Sequence, residues 1–122
     1  MAQPFTDQTV IITGATKGIG RAMAAAFGAA GANILATGRT KDELDSICLE
    51  VERSGAQAVA LVADLAIEDS AGRIADAALA TFGRIDVLVN NAAIIHDSAD
   101  LADFDSALWQ RVLYVNLAAP AL

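Results

Sequence analysis

Apolar residues follow two alternating rhythms along this chain. Short runs rich in β-branched residues are separated by longer stretches in which apolar positions recur every three or four residues. The runs "TVIIT" (9–13), "NILATG" (33–38), "QAVALVA" (57–63) and "IDVLVN" (85–90) predict four strands. Between them the spacing predicts helices over 18–30, from Thr40 as N-cap through Arg53, and over 67–82. Leu44, Ile47 and Val51 form the apolar stripe of the second helix, and Ile74, Ala78 and Phe82 that of the third. Gly31, Gly55 and Gly83 stand where these helices should stop, with Gly55 suited to a left-handed position. After a polar loop, a last helix is expected from near Asp105, with Leu108, Val112 and Val115 turned inward.

Strands that are apolar throughout are those covered on both faces, so the alternation predicts an α/β fold built on a parallel sheet. Right-handed crossovers then give the first half of a doubly wound sheet, about four strands in the order 3-2-1-4, with helices on both faces. The switch point falls between the first and fourth strands. A ligand would sit in the crevice at their carboxyl ends.

Composition narrows the class. With 122 residues, 55% of them apolar and 19% charged, the chain fits one domain with a packed core. A net charge of −7 without a basic cluster argues against binding nucleic acid or an anionic membrane. The single cysteine, Cys48, excludes an internal disulfide and fits a reduced compartment. No signal-like start and no stretch of about 20 apolar residues is present, so a soluble cytoplasmic protein is expected. His96 has no second His or Cys beside it, and no metal site is expected.

The candidate chemistry begins at "TGATKGIG" (13–20), which lies between the first strand and the first helix. Gly14 permits a tight turn, Gly18 lets backbone approach a pyrophosphate, and Gly20 allows close packing. The helix N-terminus adds free N–H groups and the positive end of a dipole. No Gly-Lys-Ser/Thr follows, so this is not a P-loop. The context is that of dinucleotide binding.

Together with "ADL" (63–65), "NNAA" (90–93) and "VN" (115–116), this loop resembles the classical short-chain dehydrogenase/reductase family. The motifs run in the family's order along the whole chain. The resemblance implies a Rossmann-type sheet and hydride transfer between a nicotinamide cofactor and a small-molecule carbonyl or alcohol substrate. It implies cofactor contacts from Gly14, Thr16, Lys17, Gly18, Ile19 and Gly20 in the loop, and from Asn91 and Ala92 after the fourth strand. Asn90 would be mainly structural. Ala93 replaces the family's usual glycine, and its methyl group narrows the cofactor pocket.

Asp64 ends the third strand, where its carboxylate can accept from an adenine amino group while Leu65 lies against the ring. A plain helix cap is the rival reading of Asp64. Asn116 matches the asparagine of the family's catalytic tetrad, which holds a water in the proton relay. Tyr114 stands in "LYVN" and is not the family's catalytic tyrosine, whereas Trp109 reads as packing or interface area.

Charge separates the cofactors. NAD-binding sheets place an acid at the end of the second strand to accept from the ribose 2′-hydroxyl. Gly38 holds that place here, and Arg39 follows it. A carboxylate would repel a 2′-phosphate, whereas a guanidinium can grip one through two N–H bonds. Lys17 adds a second cation, so NADP is expected rather than NAD. The rival reading makes both residues solvated surface cations.

The family's serine and its Tyr-x-x-x-Lys are absent from this sequence, as is a fifth strand. Residues 1–122 are therefore expected to form the partial, cofactor-binding domain of a longer reductase. The fourth strand would be an apolar edge that invites pairing, and a homo-oligomer is expected. The alternative is a non-catalytic nucleotide-binding or self-associating half-domain, natural or engineered.

Overall fold

In the computed structural model, residues 3–64 and 69–91 are described. Four parallel strands, β1 (Thr9–Thr13), β2 (Asn33–Gly38), β3 (Ala58–Val62) and β4 (Val87–Val89), form one sheet in the order β3-β2-β1-β4. Between them run α1 (Gly18–Ala29), α2 (Lys41–Arg53) and α3 (Ser70–Phe82). The expected α/β topology and strand order are those observed.

Alternation of side chains along a strand sorts β1 and β2 into two faces. Val10, Ile12, Ile34 and Ala36 meet Ala24 of α1 and Leu44, Ile47, Cys48 and Val51 of α2. Ile11 and Leu35 turn the other way, against Ile74 and Ala78 of α3. Helices therefore cover both faces, and all five residues of β1 are buried. Alanine and glycine on α1 permit close approach: a Cβ on Gly28 would lie 2.8 Å from Val51 Cγ1 of α2. Cys48 belongs to this first core, and burial, with Glu52 and Asp45 nearby, pushes its thiol pKa up to about 11. A thiol held protonated in this way is a packing group.

Several boundaries differ from the sequence expectation: α1 stops at Ala29 rather than residue 30, and β3 spans Ala58–Val62 rather than 57–63. The third helix begins at Ser70, whose hydroxyl donates to the Asp64 carbonyl at 2.6 Å, and not at residue 67; residues 67–68 of its expected start lie outside the described residues. β4 is shorter than 85–90, because side chains take over the pairing at both ends. At its start the Asp86 carboxylate accepts from the Thr9 amide at 2.8 Å, while the Asp86 amide donates to the Thr9 carbonyl at 3.0 Å. Past its end the Asn91 amide donates to the Val89 carbonyl at 3.1 Å and to the Thr13 hydroxyl at 3.0 Å, drawing the chain out of the ladder. The helix expected near Asp105 lies outside the described residues, as do His96, Trp109 and Tyr114.

Gly55 takes φ +91°, the left-handed conformation expected after α2. No helix among the described residues is long and apolar enough to cross a membrane.

Candidate cofactor site

The carboxyl ends of the strands bring the expected residues to one edge of the sheet. Thr13 of β1 is in register with Thr37 of β2, and Gly38 with Val62 of β3. The Ala63 amide donates to the Gly38 carbonyl at 2.8 Å, extending the pairing to the residue before Asp64. The glycine loop, Arg39, the half-buried Asp64 and Asn91 thus surround the ends of β1 to β4.

The loop leaves β1 through Gly14 at φ +63° and enters α1 through Gly18 at φ +56°. Both angles lie in the left-handed region that side chains with a Cβ disfavour. Nothing stands within 4 Å of where a Gly18 Cβ would point, so backbone is open to an approaching ligand there. Gly20 is different. A Cβ on it would overlap the Gly14 carbonyl and the Asn91 side-chain amide, and would stand 2.9 Å from the Gly14 carbonyl carbon. Close approach is what this glycine provides.

Three contacts fix the loop from outside. The Asn91 Nδ2 donates to the Gly14 carbonyl at 3.1 Å, and the Ala15 amide to the Thr37 carbonyl at 3.3 Å. Arg21 reaches back from α1, donating to the Thr16 carbonyl at 3.4 Å, to Ser46 Oγ at 3.1 Å and to Glu50 Oε2 at 2.9 Å. The Thr13 hydroxyl bridges β1 to β4, donating to the Val89 carbonyl at 3.3 Å while accepting from Asn91. The switch point is thereby closed by hydrogen bonds from both sides.

This geometry suits an anionic ligand. Lys17, the N-cap of α1, is extended and makes no side-chain cap, which leaves the first-turn amides of the helix without a capping side chain. Ile19 beside them is 73% exposed, an apolar surface at the mouth of the site. Gly38 sits under the loop, where a Cβ would come within 3.2 Å of Thr16 Cγ2. Arg39 is exposed and forms no ion pair among the described residues. Thr40, beside Arg39, occupies the N-cap of α2 without a side-chain cap bond. Lys17 pairs with Glu43 of α2 at 3.5 Å, and Lys41 with Asp45 at 3.1 Å. The Asp45 carboxylate, hydrogen-bonded to Lys41, raises the pKa of that ammonium above its ordinary value.

Of the residues singled out from sequence, Leu65, Ala92, Ala93 and Asn116 lie outside the described residues. Sequence reasoning missed Arg21, because the glycine spacing drew attention away from the residue that follows it. It also did not foresee the bracing bonds from Asn91, whose amide group holds the Gly14 carbonyl and whose N–H reaches the Thr13 hydroxyl. Among the described residues no group of three His, Cys, Asp or Glu side chains is placed to hold a metal ion.

A Rossmann-type sheet with a glycine loop at its switch point defines a dinucleotide-binding class. Comparison with known proteins makes this specific. The family model for short chain dehydrogenases matches residues 8–122. Short chain dehydrogenase/reductase dpmpG of Macrophomina phaseolina is 43% identical over 120 residues, covering 98% of this chain and 69% of that protein. The crystal structure of a metagenomic short-chain oxidoreductase in complex with NADP superposes with a TM-score of 0.90 at 35% identity, over 96% of this chain and 53% of that one. An NAD⁺-bound xylitol dehydrogenase superposes with a TM-score of 0.87 at 28% identity, over 95% and 45%. The chain belongs to the short chain dehydrogenase family, and it spans about half the length of these two solved structures.

Proposed function

We propose that this chain forms the cofactor-binding part of an NADP-dependent oxidoreductase acting on a small-molecule carbonyl or alcohol. The observation that carries the cofactor choice is the end of β2. Gly38 presents no carboxylate, Thr16 Cγ2 lies 3.2 Å from where its Cβ would stand, and Arg39, without an ion pair among the described residues, follows. A side chain at position 38 would press on the Thr16 methyl, whereas Arg39 and Thr40 stand ready for a 2′-phosphate. Solved relatives holding NADP and NAD⁺ are both similar to this chain, so the preference rests on its own residues.

In this reading Gly14, Thr16, Gly18, Ile19 and Gly20 receive the pyrophosphate through backbone, and Lys17 and Arg39 face the phosphorylated ribose. Asp64 and Leu65 hold the adenine, Asn91, Ala92 and Ala93 line the path toward the nicotinamide, and Asn116 belongs to the proton relay. When bound, the cofactor supplies or accepts the hydride. The protein would work as a homo-oligomer in the cytoplasm.

Replacing Arg39 with Asp tests the reading. Binding of NADP should weaken at least tenfold while NAD binding holds or improves, as read by titrating each cofactor. An unchanged ratio of the two affinities would refute the role given to Arg39.

A further inference from the structure

The cations around the proposed 2′-phosphate site are not equivalent. Lys17, Arg21 and Lys41 are each paired with an acid of α2, namely Glu43, Glu50 and Asp45, whereas Arg39 is unpaired among the described residues. Arg21 and Lys41 are occupied in holding helices. The Lys17–Glu43 pair differs from these. It spans from the glycine loop to the first turn of α2, its N–O distance is 3.5 Å, and the lysine side chain is 79% exposed. It makes no other bond with the described residues, and so it holds Lys17 without fixing it.

We infer that Glu43 is a resident counter-ion for Lys17, one that the 2′-phosphate of the cofactor must displace. Glu43 is thus a specificity-tuning residue that lowers the preference for a 2′-phosphorylated ligand. The inference rests on the NADP reading above. Its physical basis is competition: a lysine ammonium is a point charge that either oxygen set can satisfy. An exposed pair of this kind is weak, so the competing term changes affinity by a small factor and does not abolish binding.

Calorimetry of the full chain with adenosine 2′,5′-bisphosphate and with 5′-AMP tests this, because neither probe needs the nicotinamide half. Glu43→Gln should bind the bisphosphate about two- to fivefold more tightly, the range an exposed ion pair allows. Its affinity for 5′-AMP should not change. The gain should vanish in a Lys17→Met background, where there is no ammonium to release. Asp42→Asn, which removes the neighbouring charge, should give a smaller gain. No gain in Glu43→Gln, a gain that survives Lys17→Met, or an equal gain from Asp42→Asn overturns the inference. A wild type that prefers the bisphosphate but is indifferent to Glu43→Gln sinks this inference alone. A wild type with no preference between the probes sinks the NADP reading, and this inference with it.

Discussion

A single methyl group at position 20 would occupy space already held by the Gly14 carbonyl and the Asn91 amide. Neither neighbour is the free end of a flexible chain, since one is backbone and the other is bonded to it. Gly20→Ala should therefore lower stability by about 1–3 kcal/mol, the usual cost of forced overpacking. It should also abolish measurable binding of adenosine 2′,5′-bisphosphate. Gly72→Ala serves as the contrast. Nothing lies within 4 Å of its Cβ position in α3, so helix propensity should raise stability by about 0.5 kcal/mol. Urea unfolding of both variants checks the pair, and a Gly20→Ala protein as stable as wild type would contradict the packing described.

Among the elements, β4 shows how side chains set register. Asp86 is pinned by Arg84, with bonds of 2.8 and 2.6 Å, and by the Thr9 amide. Those contacts, Arg84 first, hold its carboxyl below the ordinary 3.8. A carboxyl lowered on folding contributes stability above its unfolded pKa and loses it as pH falls through the folded one. Asp86→Asn should thus be less stable than wild type at pH 6, and the difference should shrink steadily below about pH 4. Acid unfolding followed by circular dichroism measures this, and a gap that persists at pH 2 would rule the carboxylate out as its source.

The same strand marks the limit of what was legible in sequence. β1 and β2 follow from their apolar runs, because burial on both faces leaves no other pattern. The glycine loop between β1 and α1 was legible too, since it depends on local residue type and spacing. The true ends of β4, the brace from Asn91 and the clamp from Arg21 were not. Each depends on a partner far along the chain, 77 residues away for the Thr9–Asp86 bond and 29 for Arg21–Glu50. Thr40 was read correctly as the start of α2, but its hydroxyl does not cap, and only coordinates reveal that.

At the scale of the molecule, the described residues cover the two faces of the sheet unequally. Among the described residues, the face under α1 and α2 gathers most of the buried apolar side chains, including Ile12, Ile34, Leu44, Ile47 and Val51, whereas the α3 face holds Ile11, Leu35, Ala63, Ile74 and Ala78. On that second face Leu88 of β4 is 53% exposed. Opening should therefore begin at β4 and end at the β1–β2 pair. Hydrogen exchange read by NMR should find the amides of Ile11, Ile12, Leu35 and Ala36 the slowest and those of β4 markedly faster. Equal protection across all four strands would show a single cooperative unit instead.

The bond from Asn91 to the Gly14 carbonyl joins residues 77 positions apart. On the ribosome, at roughly 5–20 residues per second, the loop emerges about 4–15 s before its brace is made. Until then the Gly14–Ala15 peptide of the first β-α-β unit is held at its amide by the Thr37 carbonyl, but its own carbonyl lacks the Asn91 brace. Full bracing of the glycine loop is consequently a late event in the life of a nascent chain, completed when β4 docks and not when the motif is synthesised.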